Sequence, residues 1–201
     1  ALTMVPASDD YPRLDPPVAV DDSAEETARL DRTWRSPPGF FGWFTHVNQR
    51  MIGRRFIITA FVFFALAGVQ ALLMRWQLSR PENTLLSPDV YNQFMTMHGT
   101  VMMFFFAVPV MEGFVIYVVP LMLGTRDMAF PRLNAFGYYL YLIAGITLYV
   151  FSFMLLAPDT GWFNYVPLAN KEYSPSIGVD AWATVITFFE ISALVAAVEL
   201  I

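Results

Sequence analysis

The sequence has no cysteine. That excludes disulfides, iron–sulfur clusters, thiolate zinc sites and covalent c-type haem attachment within these 201 residues. Charge is scarce: Asp, Glu, Lys and Arg make up 14% of the chain, where a soluble domain carries about 25%. No basic stripe is present, so nucleic acid is not an expected partner. Histidine is nearly absent, with only His46 and His98. The first 38 residues hold no apolar segment. No signal peptide is read there, and the first hydrophobic span is expected to stay in the membrane.

What the sequence has in excess is apolar surface. Hydrophobic residues are 56% of the chain and aromatics 16%, which points to a membrane protein with a soluble tail. The net charge of −5 is unevenly spread. Residues 1–35 hold eight of the 17 acids: Asp9, Asp10, Asp15, Asp21, Asp22, Glu25, Glu26 and Asp31. This Pro- and Asp-rich stretch has no apolar period, and residues 1–38 are read as a disordered acidic tail.

Four stretches are long enough to cross a bilayer, given about 20 helical residues per span: 56–77, 94–123, 134–157 and 181–201. The expected fold is all-α, a polytopic transmembrane helix bundle over residues 39–201. The fourth span runs to the last residue, so a fragment of a longer protein is expected. Arg32, Arg35, Arg50, Arg54 and Arg55 precede span 1, and Arg126 and Arg132 lie between spans 2 and 3. The other side carries Arg75, Arg80 and Lys171. This bias places the N-terminus inside. Residues 158–179 are too polar and Pro-rich to span and form an outer loop. Residues 40–50, FFGWFTHVNQR, suit a short amphipathic surface piece with His46 as a surface histidine.

One stretch stands out: MTMHGTVMMFFFAVPV, residues 95–110. An imidazole in an apolar helix must satisfy both ring nitrogens or cost several kcal/mol. Three solutions are open for His98: a bond to a neighbouring helix, a proton path, or a metal. Gly99 removes a side chain beside it, which suits the approach of a flat group. Met97, Met102, Met103, Phe104, Phe105 and Phe106 offer soft apolar surface of the kind a porphyrin packs on, or plain core. Arg75 adds a cation at the end of span 1, suited to a carboxylate or formyl group or to interfacial snorkelling.

Three longer runs sharpen this: YNQFMTMHGTVMMFFFAVPV, then MLGTRDMAFPRLNAFGYY, then TGWFNYVPL. With VNQRMIGRRF at residues 47–56, they resemble subunit I of the haem–copper terminal oxidases, of the cytochrome c oxidase type. The resemblance covers about residues 46–201 and leaves the acidic tail unmatched. It implies the first four of twelve helices. It implies that His98 is one axial ligand of a low-spin haem a, with the second histidine on a later helix. It also implies that Arg75, Tyr91 and Trp162 lie against haem groups, and that Asp127 and Asn134 open a proton pathway from the cytoplasmic side. The high-spin haem, copper B and their ligands are expected from the missing part, so no catalytic residue is assigned here. The implied activity is reduction of O2 to water, coupled to proton uptake and pumping. The implied partners are oxidase subunits II and III, cytochrome c or quinol as donor, and membrane lipid. The implied location is the bacterial plasma membrane with a cytoplasmic N-terminus. A quinol oxidase of the same superfamily is the alternative, and a haem-free proton-linked transporter a more distant one.

Two positions depart from the family pattern. Phe56 stands where a tyrosine is usual and Ile116 where a second asparagine is usual. Neither can hold a water wire by itself. Three intramembrane acids are extra: Glu112, Glu190 and Glu199. Counted at about 100° per residue, Glu112 shares a face with His98 across fourteen helical residues and is a candidate to replace the lost asparagine. Glu190 and Glu199 are nine residues apart and fall on opposite faces.

Overall fold

The computed structural model describes residues 24–35, 38–125 and 127–200. Every regular element among these residues is a helix, with no strand. The order is α1 (Ala24–Trp34), α2 (Gly39–Thr45), α3 (Gln49–Gln77), α4 (Pro88–Thr100), a π-helical segment (Val101–Ala107), α5 (Val108–Leu123), α6 (Pro131–Phe153) and α7 (Gly178–Glu199). Four helical runs are long and apolar enough to cross a membrane: α3, α4 through α5, α6 and α7.

The helices begin where local chemistry starts them. Asn48 caps α3, its side chain accepting from the Arg50 N–H at 2.9 Å. Ser87 caps α4, with Pro88 in the first position and Asp89 in the first turn. Helix α5 ends at Gly124, whose φ of 70° is the left-handed stop that glycine adopts without strain. Helix α6 ends at Phe153, four residues before the end of its apolar run. Leu155 turns left-handed, and the Leu156 N–H closes back on the Phe151 carbonyl at 2.9 Å, ahead of Pro158.

Two differences from the sequence reading concern the N-terminal region. The acidic tail is not structureless throughout. AEETARLDRTW forms α1, because its Ala, Glu, Leu and Arg residues favour helix and no Gly or Pro interrupts them. Residues 1–23 lie outside the described part. Arg55, counted among the cations preceding span 1, falls inside α3. It is fully buried, donating from Nη2 to the His46 carbonyl and lying 5.5 Å from the Trp43 ring and 5.8 Å from the Tyr138 ring. His46 itself is half-buried and accepts from the Asn48 N–H through Nδ1 at 3.1 Å.

Close backbone approach joins the bundle. Helices α3 and α5 cross at Gly53 and Gly113, where a Cβ on Gly53 would stand 2.6 Å from the Gly113 carbonyl. Small residues at a crossing are how membrane helices gain packing without a hydrophobic driving force. Helices α6 and α7 pack likewise at Gly137, whose carbonyl accepts from the buried Ser192 hydroxyl at 2.7 Å. Between the pairs runs an aromatic column: Phe56, Phe63, Phe105, Tyr138, Tyr141 and Phe189. Successive helices alternate in direction. The starts of α3 and α6 and the ends of α5 and α7 therefore share one end, marked by Asp127. The other end is marked by Trp162.

Candidate functional site: a held histidine and a carboxylate mouth

His98 lies in the last turn of α4, facing α3. Its Nδ1 is 3.0 Å from the Ala67 carbonyl. A carbonyl only accepts, so Nδ1 carries the proton and Nε2 keeps its lone pair. The turns around it are fixed by side chains. Thr96 accepts the Gly161 N–H at 2.9 Å, tying α4 to the loop before α7. Thr100 accepts from Trp182 Nε1 at 2.9 Å, tying α4 to α7.

Gly99 has a different use from the one expected. The Trp162 indole lies on it, and a Cβ there would stand 2.6 Å from Trp162 Cδ1. The missing side chain makes room for this tryptophan. The proposed bed of Met and Phe is also divided. Met97 and Phe105 are completely buried in the bundle core, and Phe106 packs on Phe61 and Phe64. Met102, Met103 and Phe104 remain partly exposed.

Directly after His98 the helix widens into the π segment Val101–Ala107. Such segments cluster at functional sites because they re-aim side chains within a helix. The Tyr141 hydroxyl donates to the Phe105 carbonyl within it at 2.8 Å. This segment overturns the uniform count of 100° per residue between His98 and Glu112. Glu112 instead lies within electrostatic reach of Tyr141 and of Glu190 on α7, with Oε2 buried and unpartnered.

Arg75 is exposed, eight residues beyond Ala67 on α3, and Tyr91 is half-buried, two turns before His98. Both sit toward the Trp162 end. No hydrogen bond joins Arg75 or the Tyr91 hydroxyl to His98 or Trp162 among the described residues.

At the opposite end, Asp127 is held on the start of α3. Its Oδ1 accepts from the Gln49 N–H at 3.1 Å and from the Met128 N–H at 2.9 Å. Asn134, expected to open helix α6, sits one turn inside it and is buried with Nδ2 unpartnered. Phe56 and Ile116 are fully buried, and Phe56 stacks on Tyr141 at 5.3 Å between ring centres. Glu199 and Glu190 do take opposite faces: Glu199 is buried and Glu190 exposed.

The family model described as "Cytochrome C and Quinol oxidase polypeptide I" matches residues 51–201. The chain belongs to the cytochrome c and quinol oxidase polypeptide I family. It is 41% identical over 171 residues to a probable cytochrome c oxidase subunit 1-alpha of Streptomyces coelicolor, covering 83% of this chain and 29% of that protein. It is 43% identical over 138 residues to a cytochrome c oxidase subunit 1 of Alkalihalophilus pseudofirmus, covering 69% of this chain and 22% of that one. A haem–copper oxidase subunit I+III of Aeropyrum pernix is 41% identical over 153 residues, 76% of this chain and 19% of its own length. The chain thus spans less than a third of these relatives. With four spanning helices and this membership, it is an integral membrane protein.

For a haem of such an oxidase the donor set fits at His98. Metal-binding histidines characteristically donate their second ring N–H to a carbonyl, as His98 does to Ala67. Among the described residues no three acids or histidines converge on one point, and His98 is the histidine whose second ring nitrogen is held by a carbonyl. The Ala67 carbonyl could not be found from sequence, because a backbone group leaves no residue-type signal. The π segment left none either.

Proposed function

We propose that this chain is the N-terminal part of subunit I of a bacterial terminal oxidase, contributing the low-spin haem side and the mouth of a proton pathway. His98 supports the reading most directly: its tautomer and orientation are set by Ala67, with Nε2 left as a base. When bound, a low-spin haem a passes single electrons toward the haem–copper centre supplied by the remainder of the subunit. His98 would hold the iron, and Arg75, Tyr91 and Trp162, the last seated on Gly99, would bind the haem groups around it. Asp127 takes up protons from the cytoplasm, with Asn134 inside it. Subunits II and III, O2 and cytochrome c complete the assembly, in a plasma membrane with the N-terminus cytoplasmic. Quinol is the alternative donor, separated by whether a copper-bearing partner subunit co-purifies.

The test uses the full-length subunit with its partners. Reduced-minus-oxidised spectra of membranes are recorded with His98 intact and with His98→Ala. Loss of the low-spin band, with the CO-binding high-spin signal kept, is the expected outcome. Identical spectra, or no haem in either, would remove the assignment.

A further inference from the structure

The Asp127 end holds a second carboxylate that the established family membership does not account for. Glu199, in the last turn of α7, is only 5% exposed. Its Oε2 accepts from the Phe130 N–H at 3.0 Å, in the loop that carries Asp127. Its Oε1 is buried with no partner. Asp127 is the ionisable group within electrostatic reach of it, while Arg132 on α6 is exposed. Glu112 on α5 couples instead to Glu190 and Tyr141.

Two more unmatched polar atoms lie on residues bonded to the same loop. Gln49, 1% exposed, is bound to Asp127 through its N–H, and its Oε1 has no partner. Asn134, 2% exposed, donates its backbone N–H to the Phe130 carbonyl at 3.1 Å, and its Nδ2 has no partner. Buried polar atoms are nearly always satisfied, and a polar site with two acceptors and a donor suits ordered water. Beyond them the interior closes with Ile116 and Phe56, both fully buried.

We propose that Glu199 is a proton-carrying carboxylate of this mouth, sharing one hydrated site with Asp127, Gln49 and Asn134. Its carboxylate takes a proton from water on the aqueous side, becoming the neutral acid. It then returns that proton to water on the Asn134 side, so no net bond or charge change remains after transfer. Phe130 holds one oxygen throughout, which leaves Oε1 as the atom that binds and releases the proton. The proposal rests on the oxidase reading for the direction of proton flow, but not for the protonation itself.

The test compares the full-length oxidase with Glu199→Gln, Asp127→Asn and the double variant, reconstituted in vesicles. Gln keeps an acceptor for Phe130 and the side-chain volume, and removes the titratable carboxyl. Haem spectra identical to the parent show that each variant is folded. pH-difference infrared spectra are expected to lose one carboxyl band in Glu199→Gln, while proton uptake slows by about tenfold or more. Glu199→Asp should restore part of both. Unchanged carboxyl bands in Glu199→Gln, or a band with no change in uptake in either Asp127 background, would overturn the proposal. An unmutated protein that lacks haem or consumes no O2 would instead overturn the oxidase reading. The infrared band still decides whether Glu199 carries a proton.

Discussion

The immediate neighbours of His98 and those of Asp127 handle polar groups differently. Around His98 the Nδ1 proton has an acceptor, the Gly161 N–H has Thr96, and the Trp182 N–H has Thr100. At the His98 ring itself the atom left over is Nε2, the one a metal requires; the unpartnered buried atoms of this end belong to other side chains, Gln70, Gln93, Tyr149 and Asn164. Around Asp127 and Glu199, three buried oxygen and nitrogen atoms have no partner. A site completed by a fixed, rigid group can be closely packed beforehand, since the group's shape never changes. A site that passes protons must leave hydrogen-bonding capacity for water that exchanges. The contrast is thus between the side chains that hold the proposed haem ligand and those that line the proposed proton mouth.

The largest expected effect tests the packing of the first end. Gly99→Val places a branched side chain where Trp162 Cδ1 already stands 2.6 Å from a built Cβ. Moving the loop should cost about 3 kcal/mol. It should also shift the low-spin haem spectrum of the full-length protein, because Gly99 adjoins His98. Thermal inactivation of the purified oxidase measures the first effect. A cost near zero would mean the Trp162 loop yields easily, and the end would not be preformed. Thr96→Val comes next. It strips the acceptor from the Gly161 N–H, and a loss of about 1 to 2 kcal/mol is expected in the same assay.

How much of this was legible beforehand follows from where the information lies. The four spans and the opposite faces of Glu190 and Glu199 follow from composition and helical period, which sequence carries directly. The family runs placed His98 and Asp127 at opposite ends of span 2 and its following loop. What stayed hidden depends on backbone or on contacts distant in sequence. The π segment changes the register after His98 through backbone alone. Gly99 looked like room for a ligand because its true neighbour, Trp162, is 63 residues away. Glu199 looked like an isolated intramembrane acid until α7 was brought antiparallel to α6, setting it on Phe130.

The mouth can be probed for its dual role with Asp127. Asp127 is structural as well as ionisable, since Oδ1 receives the first N–H of α3 and that of Met128. Asp127→Ala should lower stability by about 1 kcal/mol, the usual worth of a helix-start acceptor. Asp127→Asn should leave stability nearly unchanged, because the amide oxygen can still accept, while proton uptake falls. If both variants lose stability alike, the negative charge at the helix start matters more than the hydrogen bonds.

The smallest effect belongs to Trp182→Phe, which removes an interhelical hydrogen bond to Thr100 while keeping an aromatic ring between α4 and α7. Such bonds between membrane helices average about 0.6 kcal/mol, because the separated helices also find partners in the membrane. The ring contact with Phe104, 6.4 Å between centres, is retained by Phe. Stability should therefore change by no more than about 1 kcal/mol. The sharper readout is the low-spin haem spectrum. Thr100 sits two residues after His98, where α4 gives way to the π segment. If the Trp182 bond serves mainly to hold that junction, the spectrum broadens while thermal stability barely moves. If stability falls by several kcal/mol instead, the two ends are not independent, and packing at the His98 end supports the whole bundle.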